Sequence, residues 1–266
     1  MKGIATSIAK EADITNEDAA LATGKMIAVS DGSGGGGVFA ECWSAYMLKW
    51  LPDNPMMSYK ALDGWIDEIW EPFYRTSEEK AKAIGSMLLN KFYDEGSFAT
   101  LVAVWKVSDK ECQWMSYGDS VAFCYNQRTG KLQHSFGRLT DFNQPPYLIS
   151  CKDKLDEKGF SCGVFKTDKD CLVFAASDTL AHYILMMYEA ANRKRFEEEL
   201  LEAVDAHSKN SNFVRTALGQ KTVRFQQDVL DKLISSMKNR ANFRRHIDRL
   251  RRQGLIGYDD YSLAMM

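Results

Sequence analysis

No apolar run in this chain of 266 residues is long enough to cross a bilayer, because Lys, Asp or Glu interrupts each one. The opening Met1-Lys2-Gly3-Ile4-Ala5 lacks the apolar core of a signal peptide, so a cytoplasmic location is the expectation. Net charge is lacking too: 34 Lys and Arg face 36 Asp and Glu, leaving −2, which gives no global reason to expect nucleic acid. The six cysteines contain no C-x-x-C pair and match no zinc template. Without an export signal they read as thiols rather than a disulfide framework, with Cys42, Cys112, Cys124 and Cys171 in apolar, buried contexts. Both nucleotide fingerprints, G-x-G-x-x-G and G-x-x-x-x-G-K-[ST], are absent from the one glycine-rich stretch. The bulk composition is ordinary. With 45% apolar and 26% charged residues, there is material for a substantial core and for one large domain or two small ones.

That glycine-rich stretch organises the rest. Met26 to Val29 is a short apolar run suited to a sheet buried on both faces, and Asp31 follows where the strand meets solvent. Gly32 to Gly37, broken only by Ser33, lets backbone groups come close to a bound partner. Such a turn serves either as a phosphate cradle of amides or as a hard-metal site built from an aspartate and a carbonyl.

Further strands are expected at 3–9 and 19–22, the latter joined to 26–30 by a hairpin at 23–25 that brings Glu17 and Asp18 to the same sheet end as Asp31. Helices are expected over 38–51, 59–74 and 77–93, punctuated by Pro52, Pro55 and Pro72. Trp65, Ile66, Ile69, Trp70 and Phe73 form an apolar stripe that reads as core packing. Short runs at 98–107, 112–117, 121–125 and 132–136 predict an antiparallel meander. Residues 137–170 read as an irregular surface excursion. A strand at 171–176 leads through Asp178 into a helix from about residue 181. Residues 192–253 are helical in character, and the pair Asp259-Asp260 leads into a terminal strand.

Asp18, Asp31, Asp119, Asp178 and Asp259 share one local grammar, each at a strand end beside a turn. Capping a turn or a helix is the ordinary use of any one of them. Ionised as a set they repel unless cations neutralise them. Neither histidine nor cysteine stands among them, and an all-oxygen donor set favours Mg²⁺ or Mn²⁺ over zinc. Two such ions bridged by one aspartate can ionise a water for in-line attack on a phosphate ester.

Six segments in order carry a resemblance: Asn16-Glu17-Asp18, Val29-Ser30-Asp31-Gly32-Ser33-Gly34-Gly35, Gly96-Ser97-Phe98-Ala99-Thr100, Tyr117-Gly118-Asp119-Ser120, Ala176-Ser177-Asp178-Thr179-Leu180 and Tyr258-Asp259-Asp260-Tyr261-Ser262-Leu263. Together they resemble the metal-dependent serine/threonine protein phosphatases of the PPM (type 2C) family, in a bacterial-like form. The resemblance implies an α+β fold, a four-layer αββα sandwich of two antiparallel sheets flanked by helices. It implies one domain over 1–266, with 192–253 as a helical insertion before the last strand. By that likeness Asp31 bridges two Mn²⁺ or Mg²⁺ ions and the Gly32 carbonyl ligates one. Asp178 and Asp259 hold the other, Glu17 and Asp18 bind metal-ligated waters, and Asp119 matches the ligand of a third ion in some members. A phosphorylated protein is the implied substrate, and a monomer the expected state.

Asp13 stands where many members carry a phosphate-gripping arginine, and Lys10 is the nearest cation. Ser33 replaces the histidine of eukaryotic members, Thr179 a usual glycine, and Asp260 a common asparagine. These departures keep a second class open, a module that binds a phosphorylated partner without turning it over. The basic run Lys238 to Arg252 raises a third class, nucleic-acid binding, against which a solvated charged helix is the simpler reading. Written as a helix, the run places Arg244, Arg245, Arg249 and Arg252 on one broad face. Lying between Asp178 and Asp259, that face is expected to draw acidic phosphorylated substrates to the site.

Overall fold

Alternation with a period of two explains how this chain buries both faces of its sheets. In the computed structural model, which describes residues 3–35 and 37–266, Met26 and Ala28 face one core while Ile27 and Val29 face another. Leu101, Ala103 and Trp105 likewise oppose Val102 and Val104, and Phe174 and Ala176 oppose Val173 and Ala175.

Twelve strands result among the described residues: β1 (Ile4–Ile8), β2 (Ala19–Ala22), β3 (Met26–Ser30), β4 (Phe98–Ala99), β5 (Leu101–Ser108), β6 (Glu111–Tyr117), β7 (Val121–Asn126), β8 (Lys131–His134), β9 (Ile149–Ser150), β10 (Phe160–Lys166), β11 (Cys171–Ala176) and β12 (Tyr261–Met265). One five-stranded antiparallel sheet has the order β1-β12-β11-β7-β8 and the other β10-β6-β5-β3-β2. Small residues such as Ala122, Ala175 and Ala264 let the two sheets pack face to face. Helices α1 (Ala40–Lys49), α2 (Tyr59–Ile84) and α3 (Ser86–Glu95) cover the second sheet through Trp43, Trp65, Ile69 and Phe92. The first sheet is covered by α4 (Asp178–Ala191), α5 (Glu197–Asp205), α6 (Ser211–Leu218), a π-helical turn (Phe225–Leu230) running into α7 (Asp231–Ser236), and α8 (Arg240–Arg252). The four layers are those expected.

Several local expectations are corrected. Pro72 does not end a helix: α2 runs through it to Ile84. The lost hydrogen bond, costing about 3 kcal/mol, is outweighed by the face Leu62, Trp65, Ile66, Ile69 and Phe73 that α2 buries. The break falls instead at Gly85, whose φ of 149° suits glycine. The meander is split between sheets, since β5 and β6 pair in one while β7 and β8 pair in the other. Gly118, at φ 94°, makes the crossing possible. The excursion 137–170 is less irregular than expected, because it supplies the seven-residue edge strand β10. Cys42 and Cys171 are only partly buried, whereas Cys151 is buried, and all six cysteines are free. Residues 192–253 do not stand off as a lobe. Leu200, Val214, Phe225, Phe243 and Ile247 share one core with Phe174 and Leu263. Among the described residues no helix is long and apolar enough to cross a membrane. Met1, Lys2 and Gly36 of the glycine run lie outside the described residues.

One buried acid in the helical layer yields a test. Glu189 on α4 is buried, and among the described residues its Oε2 has no hydrogen-bond partner. Burial, reinforced by Glu199, pushes its carboxyl from the ordinary 4.5 up to about 8. The folded chain therefore holds a proton that the unfolded chain releases, and stability present below pH 4.5 is lost as pH rises towards 8. Glu189→Gln should melt with the parent at pH 4.5 and above it by several degrees, roughly 2–4 °C per kcal/mol regained, at pH 9. Parallel melting curves across that range would contradict this.

Candidate active site

Antiparallel pairing makes strand ends and strand starts alternate along the edge of each sheet, and the chain places acids at one such edge of both five-stranded sheets. β3 ends before Asp31 and β11 ends before Asp178, while β2 starts after Asp18 and β12 after Asp259. Asp119 occupies the crossing from β6 to β7. The structure brings these positions together. A cleft of about 260 Å³ is lined by Lys10, Glu17, Asp31, Gly32, Asp119, Asp178 and Asp259. Asp18 is buried close to Asp31, Asp178 and Asp260 and adds its charge to theirs.

Backbone contacts hold the cleft in shape. The Asp31 carbonyl accepts from the Thr100 N–H at 2.8 Å, the Ser33 N–H donates to the Phe98 carbonyl at 2.9 Å, and Gly32 bridges Ala99. A Cβ on Gly32 would collide with the backbone of Glu17 and Ala40, so three segments meet where only glycine fits. The loop between β1 and β2 is pinned by one buried carboxylate. Asp260 accepts from the Lys10 N–H at 2.7 Å and the Glu17 N–H at 2.6 Å. On its other side Arg244 and Arg251 both donate to the Lys10 carbonyl, at 3.2 and 3.4 Å. Asp178 opens α4, where the helix N-terminus favours negative charge, and its own carboxylate accepts from the Thr179 N–H.

The electrostatics are those of an uncompensated acidic cluster. Burial, then the charges of Asp18, Asp178, Asp119 and Asp259, hold the Asp31 carboxyl well above its usual range. Burial pushes Asp18 up to about 8, with Asp260 and Asp178 adding to it. Burial and Asp178 push Asp119 up to about 8, against the pull of Lys209. Asp259 rises to about 6 through burial and Asp178, with Lys10 opposing. Glu17 is raised by burial while Lys10 and the Gly34 N–H hold it down. Both carboxylate oxygens of Asp18 are buried against Ser177 and the Asp31 carboxyl, and among the described residues neither makes a well-formed hydrogen bond.

Among the described residues, no three His, Cys, Asp or Glu side chains are drawn together closely enough to hold an ion as they stand. The donor chemistry nevertheless fits a hard divalent cation. It is all oxygen, includes a buried carboxylate without a well-formed hydrogen bond among the described residues, and is opposed only weakly by Lys10 and Lys209.

Some contributors escaped the sequence reading. Lys209, exposed in the turn before α6, acts on Asp119 from within the helical layer, and nothing in its local sequence marks it. Pro146 and Leu148 line the cleft from the stretch read as an excursion. Thr100 lines it too, and its hydroxyl shares a hydrogen bond of 2.7 Å with Ser120. Both belong to motifs singled out above, without a role. The basic face of α8 is also corrected. Arg244 turns with Arg251 to the Lys10 loop, whereas Arg245 and Arg249 line a separate groove with Lys232.

The chain is similar over its length to solved bacterial serine/threonine phosphatases. The Mycobacterium tuberculosis serine/threonine phosphatase PstP/Ppp matches with a TM-score of 0.54 at 15% identity, covering 99% of this chain and 97% of that one. The catalytic domain of PstP in complex with two manganese ions gives 0.53 at 16% identity, covering 99% and 96%. Stp1 from Staphylococcus aureus gives 0.52 at 14% identity, covering 99% and 93%. No family model and no curated protein matches the sequence. The likeness shows the fold, and it is the fold that the PPM resemblance implies.

Neutralising one acid should relieve the cluster. Asp31→Asn is expected to raise the melting temperature of the metal-free protein at pH 8 by a few degrees and to abolish any rise on adding Mn²⁺. A variant that melts lower than the parent without metal would show that Asp31 is not under repulsion.

Proposed function

We propose that the chain is a Mn²⁺- or Mg²⁺-dependent phosphoprotein phosphatase acting on phosphoserine or phosphothreonine. The observation that carries this reading is the convergence of Asp31, Asp119, Asp178 and Asp259 on one cleft, over the buried Asp18. In this reading Asp31 and the Gly32 carbonyl would hold the ions together with Asp178 and Asp259, Glu17 and Asp18 would orient bound waters, and Asp119 would serve a further ion. Bound there, the ions would supply charge at the phosphoryl group and a water acid enough to ionise near neutral pH.

The chain's own residues do the rest. Lys10 is held at the rim by the Asp260, Arg244 and Arg251 contacts to its backbone, so its ammonium can meet the substrate phosphate in place of an arginine. Asp13, the counterpart of that arginine by the resemblance, is exposed in the turn after β1. The glycines at 32, 34 and 35 leave one wall with few side chains, Ser33 and the Glu17 carboxylate over Gly34, so a phosphorylated residue can approach the backbone beside them. Lys209 adds a second cation beside Asp119. The fold of the manganese-bound phosphatase domain supports the reading.

A module that binds phosphorylated partners without turnover is the second reading, favoured by the donor set that is not drawn together. Phosphate release decides between them. The purified protein with Mn²⁺ should release phosphate from a phosphothreonine peptide and hydrolyse p-nitrophenyl phosphate, and Asp31→Asn should lose more than about 100-fold of both. Peptide binding without release would support the module, and undiminished activity in the variant would sink the assignment of Asp31.

A further inference from the structure

The helical layer contains a cavity of about 800 Å³ that shares no residue with the carboxylate cleft. Its floor is apolar, formed by Tyr183 and Met187 one turn apart on α4, with Leu250 of α8 and Leu255. Its rim is cationic. Arg224, Lys232 and Arg249 face the single acid Asp228. That acid is already engaged. Its Oδ2 accepts from the Arg224 N–H at 3.0 Å and its Oδ1 from Lys232 Nζ at 3.4 Å, and these donors hold its carboxyl below the usual range. Arg249 is in no ion pair among the described residues.

A second arm of about 270 Å³, reaching Arg245 and Asn242, meets the cavity at Lys232, His246 and Arg249. His246 is buried there, and among the described residues its Nε2 has no hydrogen-bond partner. Lys232 and Arg249 line the junction with it, and burial and their charges push its imidazole down to about 4. The wall carrying Arg224 and Asp228 is the π-helical turn, an element that recurs at functional sites.

Cations over an apolar floor call for an anion attached to an apolar body. A fork such as Arg249 grips a phosphate in two places, and Lys232 adds a point charge. The volume lies within the range of small-molecule pockets, and an inorganic ion alone would leave Tyr183, Met187 and Leu250 unused. We propose that this cavity is a binding site for a small organic phosphate, an anion carried on an apolar body. Its phosphate sits at the junction of Lys232, His246 and Arg249, and its body lies on the apolar floor. The site is independent of the phosphatase reading.

Calorimetry on the full chain in EDTA, which keeps divalent ions and turnover out of the carboxylate cleft, tests this with AMP, inorganic phosphate and adenosine as probes. AMP should bind once per chain, at least tenfold tighter than inorganic phosphate, and adenosine should give no measurable binding. Arg249→Gln and Lys232→Gln, both exposed substitutions, should each weaken AMP at least tenfold, while Arg138→Gln, outside the cavity, should not. Absence of AMP binding, or binding unchanged in both variants, would overturn the proposal. Phosphate binding as tight as AMP would overturn the organic class.

Discussion

Five aspartates and a glutamate gathered where strand ends of both sheets meet repel one another, and the structure at that end of the molecule is an answer to this repulsion. Like charges at close range in a partly desolvated site cost several kcal/mol unless protonated or neutralised. The raised carboxyls of Asp31, Asp18, Asp119 and Asp259 report that cost. The remaining αββα sandwich stabilises the assembly enough to carry it. Three layers of apolar side chains hold the strand ends in register whatever the acids do.

Positioning is done by backbone rather than by side-chain pairing. Asp260 takes two main-chain N–H groups and fixes the loop that carries Lys10 and Glu17. Ser44 holds the Glu17 carbonyl at 2.5 Å, and Asn16 reaches the Asp18 carbonyl at 3.0 Å. Such contacts place acids without neutralising them, which leaves their charge available to a cation. A site built from ion pairs would have been more stable when empty and poorer at holding a metal.

The acids were legible in the sequence because each sits at a strand boundary, where a short apolar run meets a polar turn. Asp31 and Asp178 follow such runs directly, and the structure puts both in one cleft. The sheets were legible through the doubly buried strands at 26–29 and 171–176. What was not legible depends on tertiary packing. Pro72 is a helix breaker by local rule, yet the buried face of α2 overrides it. Residues 121–134 look continuous with the strands before them, and only the turn at Gly118 sends them to the other sheet. Lys209 enters from the helical layer, a long-range contact without a motif. The split of the α8 arginines follows from helical spacing: positions 244 and 251 are two turns apart on one face, and 245 and 249 lie on another.

The central claim is that these carboxylates are the oxygen donors of a paired cation site. Diffraction from crystals grown with Mn²⁺, measured at its absorption edge, tests it most directly. The account predicts two anomalous peaks a few ångströms apart, with Asp31 between them and Asp178 and Asp259 around one. A cleft without manganese, or a single peak that leaves Asp31 unengaged, would contradict it.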